Sequence, residues 1–354
     1  MVKLFVAAFV FCVALIGGDF VAVESGGSNV FLLDENGGLF AKHELNVPNR
    51  NGSLGLGDLD GHTVREEFER LNINARITKI STSLTRSIAL DSNGEIWLAG
   101  FNLDSRQNAL HRFAKIPLKM KISDIASGWD SVLLLDNTGV LYVAASCATK
   151  DNGAFLVTKV KNDVRFKKIA AAKYEFAALA IDANGALWSA DSISMITGVC
   201  PLSLSEIKAD VKFQDISMNW GQKAALIDEA GNLWYFENWK LAKIDGLGAI
   251  TAVSLTRFNG IYALDKNGAL WAVEITKSKN DSQNAFRVKR IRLDAKIKAF
   301  GAGIYLFAID SEGDVWFAKN SDIFPPKNPE KQAEFVLYPY SFNQQTSGEN
   351  DDDK

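Results

Sequence analysis

A seven-residue motif, Asp-x-x-Gly-x-x-aromatic, recurs along this chain and limits the possible folds more than any other feature. It occurs seven times with identical internal spacing, and successive copies start 37 to 57 residues apart. The copies are Asp34/Gly37/Phe40, Asp91/Gly94/Trp97, Asp136/Gly139/Tyr142, Asp182/Gly185/Trp188, Asp228/Gly231/Trp234, Asp265/Gly268/Trp271 and Asp310/Gly313/Trp316. A pattern repeated at this interval is typical of a repeat architecture in which each copy forms one structural unit.

Hydrophobic segments on both sides of each motif predict two β-strands joined by a hairpin. In the turn, the Asp side chain bonds nearby backbone and the Gly takes the positive φ that closes it. Another strand precedes this pair, as in Ile77-Thr-Lys-Ile80, and an amphipathic strand ends most units, as in Leu241-Ala-Lys-Ile244. The sequence therefore predicts an all-β fold, a seven-bladed β-propeller of four-stranded antiparallel blades.

The seven motif aromatics are predicted to lie in the core between neighbouring blades, because each blade must bury one face on the next. Segments such as Asp91-Ser-Asn93 also bring oxygen atoms close together, as calcium loops do. The acidic residue that would complete an EF-hand loop is missing, so we interpret these segments as turns and predict no metal site.

The first eighteen residues have the pattern of a cleaved secretory signal. A basic start at Lys3 is followed by an unbroken apolar run from Leu4 to Ile16 and by two small glycines. We expect a signal peptide over residues 1–18, the propeller over 19–342 and a flexible acidic tail over 343–354. Because no later segment has 18 consecutive apolar residues, we expect a secreted, extracellular monomer without a membrane span.

The charge balance argues against a nucleic-acid partner. The chain has 39 basic and 42 acidic residues, a net charge of −3, and residues 349–354 contain four of the acids and one Lys. The folded part is therefore nearly neutral. A nucleic-acid-binding protein needs a basic surface, and the small clusters Lys159/Lys161 and Lys289/Arg290 are interpreted as solvated strand faces.

Two cysteines remain after the signal peptide, Cys147 and Cys200. In an oxidising compartment they are expected to form a disulfide between neighbouring blades, and two free thiols are the alternative. Sequons at Asn51 and Asn280 predict glycosylation sites, of which one or both are alternatively unused.

One passage in the first unit resembles a known repeat family. Residues 51–58, Asn-Gly-Ser-Leu-Gly-Leu-Gly-Asp, are similar to the Gly-Gln-Leu-Gly-Leu-Gly-Asp signature of RCC1-type repeats. The recurrent Ala-Leu-Asp-x-x-Gly-x-x-Trp and the Ala99-Gly-Phe-Asn102 step resemble the strands of that family. The His that the family usually has between its first two strands is absent from every unit, so the repeats are degenerate.

The resemblance implies a propeller and, at most, a binding role. Nucleotide exchange on a small GTPase beside chromatin, the best-known activity of the RCC1 family, does not suit a secreted and non-basic chain, and we transfer none of its catalytic residues. Other RCC1-like members are protein-binding platforms, including a secreted bacterial inhibitor of β-lactamases. Tectonin-type lectins have a similar propeller and keep carbohydrate binding open.

Blade geometry indicates which face carries a site. The Asp-x-x-Gly turns occupy one face, and the more variable connections occupy the other, where recognition is usually placed. On this second face, the turns between the first and second strands of the blades are rich in aromatic and cationic residues. Their side chains are expected to form a ring around the mouth of the central channel. The predicted partner-binding residues are Arg86, Trp129, Tyr174, Trp220, Arg257, Phe258 and Tyr305, with Lys173 and Phe176 in the same turns.

Trp, Tyr and Arg dominate the energetics of protein interfaces, which favours a binding surface. The alternative interpretation is that these side chains fold inward and plug the channel. His43, His62 and His111 are scattered, and neither a Gly-x-Ser-x-Gly elbow nor a phosphate loop is present. We therefore predict a protein that is not an enzyme, needs no cofactor, and captures or inhibits an extracellular protein. A lectin-like or small-ligand-binding propeller is the first alternative, and a hydrolase is the second.

Overall fold

The computed structural model describes residues 19–26, 28–44, 52–58, 63–101, 109–129, 131–145, 157–160, 163–173, 177–190, 204–219, 221–256, 260–277, 284–319, 323 and 336–337. Structural statements below refer to these residues. The predicted signal peptide and acidic tail, both cysteines and both sequon asparagines lie outside them, so those expectations remain predictions.

Seven four-stranded antiparallel sheets follow one another along the chain, and each sheet is one blade. The strands of blades 1 to 4 are β1 (Phe20–Gly26), β2 (Asn29–Asp34), β3 (Leu39–His43), β4 (Glu69–Arg70), β5 (Ile77–Thr82), β6 (Arg86–Asp91), β7 (Ile96–Phe101), β8 (Ala109–Ile116), β9 (Ile122–Ser127), β10 (Ser131–Asp136), β11 (Leu141–Ala145), β12 (Val157–Lys159), β13 (Phe166–Ala171), β14 (Ala178–Asp182), β15 (Leu187–Ala190) and β16 (Leu204–Ile207).

Blades 5 to 7 repeat the same order. Their strands are β17 (Phe213–Met218), β18 (Ala224–Asp228), β19 (Leu233–Glu237), β20 (Lys240–Ile244), β21 (Ile250–Leu255), β22 (Gly260–Asp265), β23 (Leu270–Lys277), β24 (Asn284–Arg290), β25 (Ile297–Ala302), β26 (Tyr305–Asp310), β27 (Val315–Lys319) and β28 (Val336–Leu337). The prediction of an all-β, seven-bladed propeller with four strands in each blade is confirmed.

Hydrophobic cores lie between the blades. Seven clusters of buried apolar side chains each join two neighbouring blades, and the last of them joins blade 7 to blade 1. The ring is therefore closed. At the closing seam, Phe20, Val23 and Phe40 of blade 1 meet Phe307 and Ile309 of blade 7. No strand is exchanged between these two blades, since β1–β4 and β25–β28 form separate sheets.

The repeated motif forms the turn that the sequence predicts. In the second copy, Asp91 Oδ1 accepts hydrogen bonds from the main-chain N–H groups of Asn93 (2.8 Å) and Glu95 (3.0 Å). Gly94 has a φ of 74°, and its carbonyl accepts a hydrogen bond from the N–H of Ile122, the first residue of the next blade, at 2.9 Å. One turn thus closes its own hairpin and joins two blades.

The motif aromatics pack where the sequence predicts and have an additional role. Phe40 is buried, whereas the other six rings are partly buried against the inter-blade clusters. In those six copies the aromatic N–H or O–H donates to Oδ2 of the motif Asp six residues earlier, as Trp188 does to Asp182 at 3.1 Å. Sequence reasoning missed this bond.

Candidate functional site: the channel mouth

The channel wall of blades 2 to 5 is lined by alternating charges. These side chains occupy the third position of the innermost strands, at Lys79, Asp124, Lys168 and Asp215. Lys79 pairs with Asp124, and Lys168 pairs with Asp215 at 2.8 Å. The pKa of the Lys168 amine is raised overall. Burial, the largest single influence, lowers this pKa, but Asp215 and the nearby charge of Asp124 together raise it by more. The four charges therefore neutralise one another.

Lys173 bridges the ring at the mouth of the channel, on the face opposite the Asp-x-x-Gly turns. This face is called the mouth face below, and the opposite one the turn face. The ammonium group of Lys173, which follows β13 in blade 4, lies 2.8 Å from Glu24 Oε1 and 2.5 Å from the carbonyl of Ser25, both in blade 1. The side chain of Lys173 is only 13% exposed. Lys173 therefore fills the mouth instead of facing a partner.

Hydrogen bonds join the mouth-face turns of successive blades. Thr85 Oγ1 donates to the carbonyl of Trp129 (2.5 Å), and the N–H of Trp129 donates to the carbonyl of Ala172 (3.3 Å). The N–H of Lys173 donates to the carbonyl of Asn219 (2.8 Å), whose side-chain amide donates to the carbonyl of Leu255 (2.9 Å). These hydrogen bonds connect blades 2 to 6 at the mouth.

A buried carboxyl group lies at the seam between blades 1 and 7. Glu44 is 6% exposed, and its Oε1 accepts hydrogen bonds from the N–H of Tyr305 (2.6 Å) and from Ser25 Oγ (3.1 Å). Burial raises the pKa of Glu44 to about 7, against the lowering effects of these bonds and of Lys173. The carboxyl is enclosed by protein, so it is not open to a substrate.

The structure describes three of the seven predicted partner-binding residues. Arg86 is 2% exposed and donates from Nε to the carbonyl of Phe101 at 3.2 Å, so the expectation that it faces a partner at the mouth is wrong. Tyr305 is partly buried, and its ring packs against Phe307 and Phe317 within blade 7. Trp129 remains partly exposed. The other four, Tyr174, Trp220, Arg257 and Phe258, lie outside the described residues.

Two exposed apolar side chains on the mouth face were missed by sequence reasoning. Leu84, in the turn between β5 and β6, is 38% exposed, and Trp239, in the turn between β19 and β20, is 45% exposed. Val21 is equally exposed but lies at the beginning of β1, near the turn face. The signal for Trp239 was its position in a two-residue turn, where small or polar residues are expected.

The passage that resembles RCC1 repeats joins blade 1 to blade 2. Leu54 is buried in the core between these blades, and Leu56 forms a β-bridge with Arg112. Gly55 has a φ of 77°, and a Cβ there would lie 2.4 Å from the ring of Phe113. Gly57 has a φ of 94°, which also favours glycine. Gly55 is therefore needed for close packing and Gly57 for its backbone conformation, and the passage has a structural role in joining the two blades.

The described residues show no arrangement typical of a catalytic or metal site. Nδ1 of His43 accepts a hydrogen bond from the N–H of Arg65 (2.8 Å), and His111 contacts the carbonyl of Asp58 (2.6 Å), so both imidazoles have structural partners. Among these residues, no group of three His, Cys, Asp or Glu is placed to hold a metal ion. No helix in the described part of the chain is long and apolar enough to span a membrane.

Solved structures support the resemblance at the level of the fold. Human WBSCR16 is 14% identical, with a TM-score of 0.64 over 83% of this chain and 88% of that one. Prp20p from Saccharomyces cerevisiae is 15% identical, with a TM-score of 0.61 over 79% of this chain and 80% of that one. Yeast Prp20 is RCC1, so the predicted resemblance to RCC1-type propellers is confirmed for the fold.

Other matches show how widely this architecture is shared. PorZ from Porphyromonas gingivalis is 10% identical, with a TM-score of 0.58, and the aligned region covers 92% of this chain but 39% of that larger protein. No family model matches the chain, and no curated protein sequence matches it significantly. The likeness to these proteins is therefore one of fold.

Proposed function

We propose that this chain is a secreted, non-catalytic binding protein that captures a protein partner on its mouth face. One observation carries the proposal: the mouth is closed by cross-blade bonds and Lys173, yet the face around it exposes Leu84 and Trp239 and partly exposes Trp129. A surface whose turns are joined by cross-blade bonds and that exposes apolar side chains suits a macromolecular partner, because bonded turns lose little ordering entropy on binding.

The comparisons are consistent with such a role. Prp20p shares the fold, and its crystal structure was described with its binding properties to Gsp1p and histones. A second crystal structure shows it bound to Kap60. Those partners belong to Prp20p and are not transferred. The likeness supports the use of the propeller as a platform for proteins.

The first experiment is a pull-down from extracellular fluid with the purified mature chain, residues 19–354, followed by mass spectrometry. We expect one protein to be enriched. The test variant is L84S/W129A, which removes two apolar side chains of the mouth face, and V21S is the control because Val21 is exposed on the turn face. L84S/W129A is expected to weaken binding of the enriched protein at least about thirtyfold, since the loss of even one interface anchor costs about 2 kcal/mol or more.

Three outcomes contradict the proposal. Equal retention by wild type and L84S/W129A would place the binding surface elsewhere. Enrichment of many unrelated glycoproteins that free sugar releases would make the chain a lectin. No retained protein at all would exclude capture from that fluid. The sequence also predicts that W129A/W220A abolishes capture with little change in melting temperature.

A further inference from the structure

The turn that carries Trp239 has a backbone conformation that favours other residues. Strands β19 and β20 form a hairpin in which Glu237 pairs with Lys240, so Asn238 and Trp239 alone make the turn. Their φ angles are 51° and 62°, as in a type I′ turn, which needs positive φ at both positions. Asn suits the first position, whereas Gly is preferred at the second. Trp239 therefore occupies a position that glycine would fill without strain.

Within the part of the chain that the structure describes, the contacts of Trp239 do not account for its presence there. Its ring meets Phe236 edge-on, with the ring centroids 6.5 Å apart. The residue is still 45% exposed, although Phe236 beneath it is completely buried. Glycine at this position would leave the turn less strained and less apolar. A strained, exposed indole points instead to a contact outside the chain.

The charges beside Trp239 indicate the chemistry of that contact. Glu237 is neutralised by Lys223 at 3.2 Å and accepts a hydrogen bond from the side-chain amide of Asn284 at 3.0 Å. Lys240 is exposed next to Trp239, so the tip of the hairpin presents an indole and an ammonium group together. The complementary surface has an apolar cleft for the indole and carboxylates at its edge for Lys240.

We propose that Trp239 is the anchor residue of the mouth face and inserts into an apolar cleft, edged by carboxylates, on the partner protein. The inference rests on the proposed function and adds to it both the chemistry of the partner and an off-axis position over blade 5. Partner recognition then depends on the outer hairpin of that blade as well as on the turns around the channel.

The test compares W239G with W239A, since both lack the indole and only glycine relieves the positive φ. The enriched protein from the pull-down is purified, and its Kd is measured by calorimetry. Both variants are expected to bind at least about thirtyfold more weakly than wild type, whereas V21S is expected to bind like wild type. K240E is expected to bind several-fold more weakly, with the loss reduced by added salt.

Urea denaturation measures the strain without any partner. The folding equilibrium constant of W239G is expected to be about fivefold larger than that of W239A. Equal stability of these two variants would overturn the inference. If wild type captures a partner and W239G binds that partner with wild-type affinity, the inference about Trp239 is overturned, whereas the proposed function stands. If wild type captures no protein, the proposed function fails and the inference fails with it.

Discussion

The two faces of this propeller differ in how strictly they follow the repeat. On the turn face, the same hydrogen bonds recur from blade to blade, and the aromatic-to-Asp bond is present in six copies. On the mouth face, the side-chain contacts differ from turn to turn, among them the Lys173–Glu24 bridge and the Glu44–Tyr305 bond. Repeated chemistry builds the scaffold, and the side chains available for recognition lie where the repeat is broken.

The largest expected effect comes from removing a motif aromatic. Trp188 packs against the core between blades 3 and 4 and donates to Asp182, so W188A is expected to destabilise the protein by about 3–5 kcal/mol through a core cavity. W188F retains most of the packing and loses the hydrogen bond, for a loss of about 1 kcal/mol. Urea denaturation measures both. Equal losses would show that packing contributes little beyond the bond.

The next effect depends on pH and tests the irregular mouth face. Because burial raises the pKa of Glu44 to about 7 in the folded state, folding favours the protonated carboxyl. The stability associated with the neutral form is complete below the unfolded pKa near 4.5 and is lost as pH rises through about 7. We expect a loss on the order of 3 kcal/mol between pH 4.5 and 8.5.

The control for this experiment is E44Q, which cannot ionise. His43 acts in the opposite sense, since burial, the largest influence, lowers its pKa and its stabilisation is lost as pH falls. The difference in unfolding free energy between wild type and E44Q at each pH removes this contribution. A difference that stays constant from pH 4.5 to 8.5 would show that Glu44 does not titrate in this range.

A smaller effect is expected at the bridge across the channel. K173M removes the ion pair with Glu24, which is partly shielded from solvent, and we expect a loss of about 1–2 kcal/mol. E24Q/K173M is expected to recover part of it, because the double variant leaves no unpaired charge. Thermal denaturation of wild type, both single variants and the double variant gives the coupling energy. Additive losses would contradict the bridge.

The scaffold could be predicted from the sequence because the Asp-x-x-Gly-x-x-aromatic motif occurs seven times. Asp-x-x-Gly sets the hairpin, and the aromatic three residues later sets the core, so the blades could be placed from local pattern alone. The mouth could not be predicted in the same way. Lys173 meets Glu24, a residue 149 positions away in the sequence, and Arg86 is buried and donates to the carbonyl of Phe101 instead of facing outward. Side-chain orientation at the mouth depends on how the closed ring brings unrelated turns together.

The seam between blades 1 and 7 has a consequence for the topology of the chain. Each blade is built from one continuous segment, and both the first residue of β1 and the last residue of β28 lie at the turn face. A linker across the seam and a cut between two other blades would leave all seven sheets intact. The linker around Gly246 and Gly248 is such a place, since a Cβ at either glycine would meet no atom within 4 Å. The architecture is therefore compatible with circular permutation, and the order of blades along the gene is one of several that would encode the same ring.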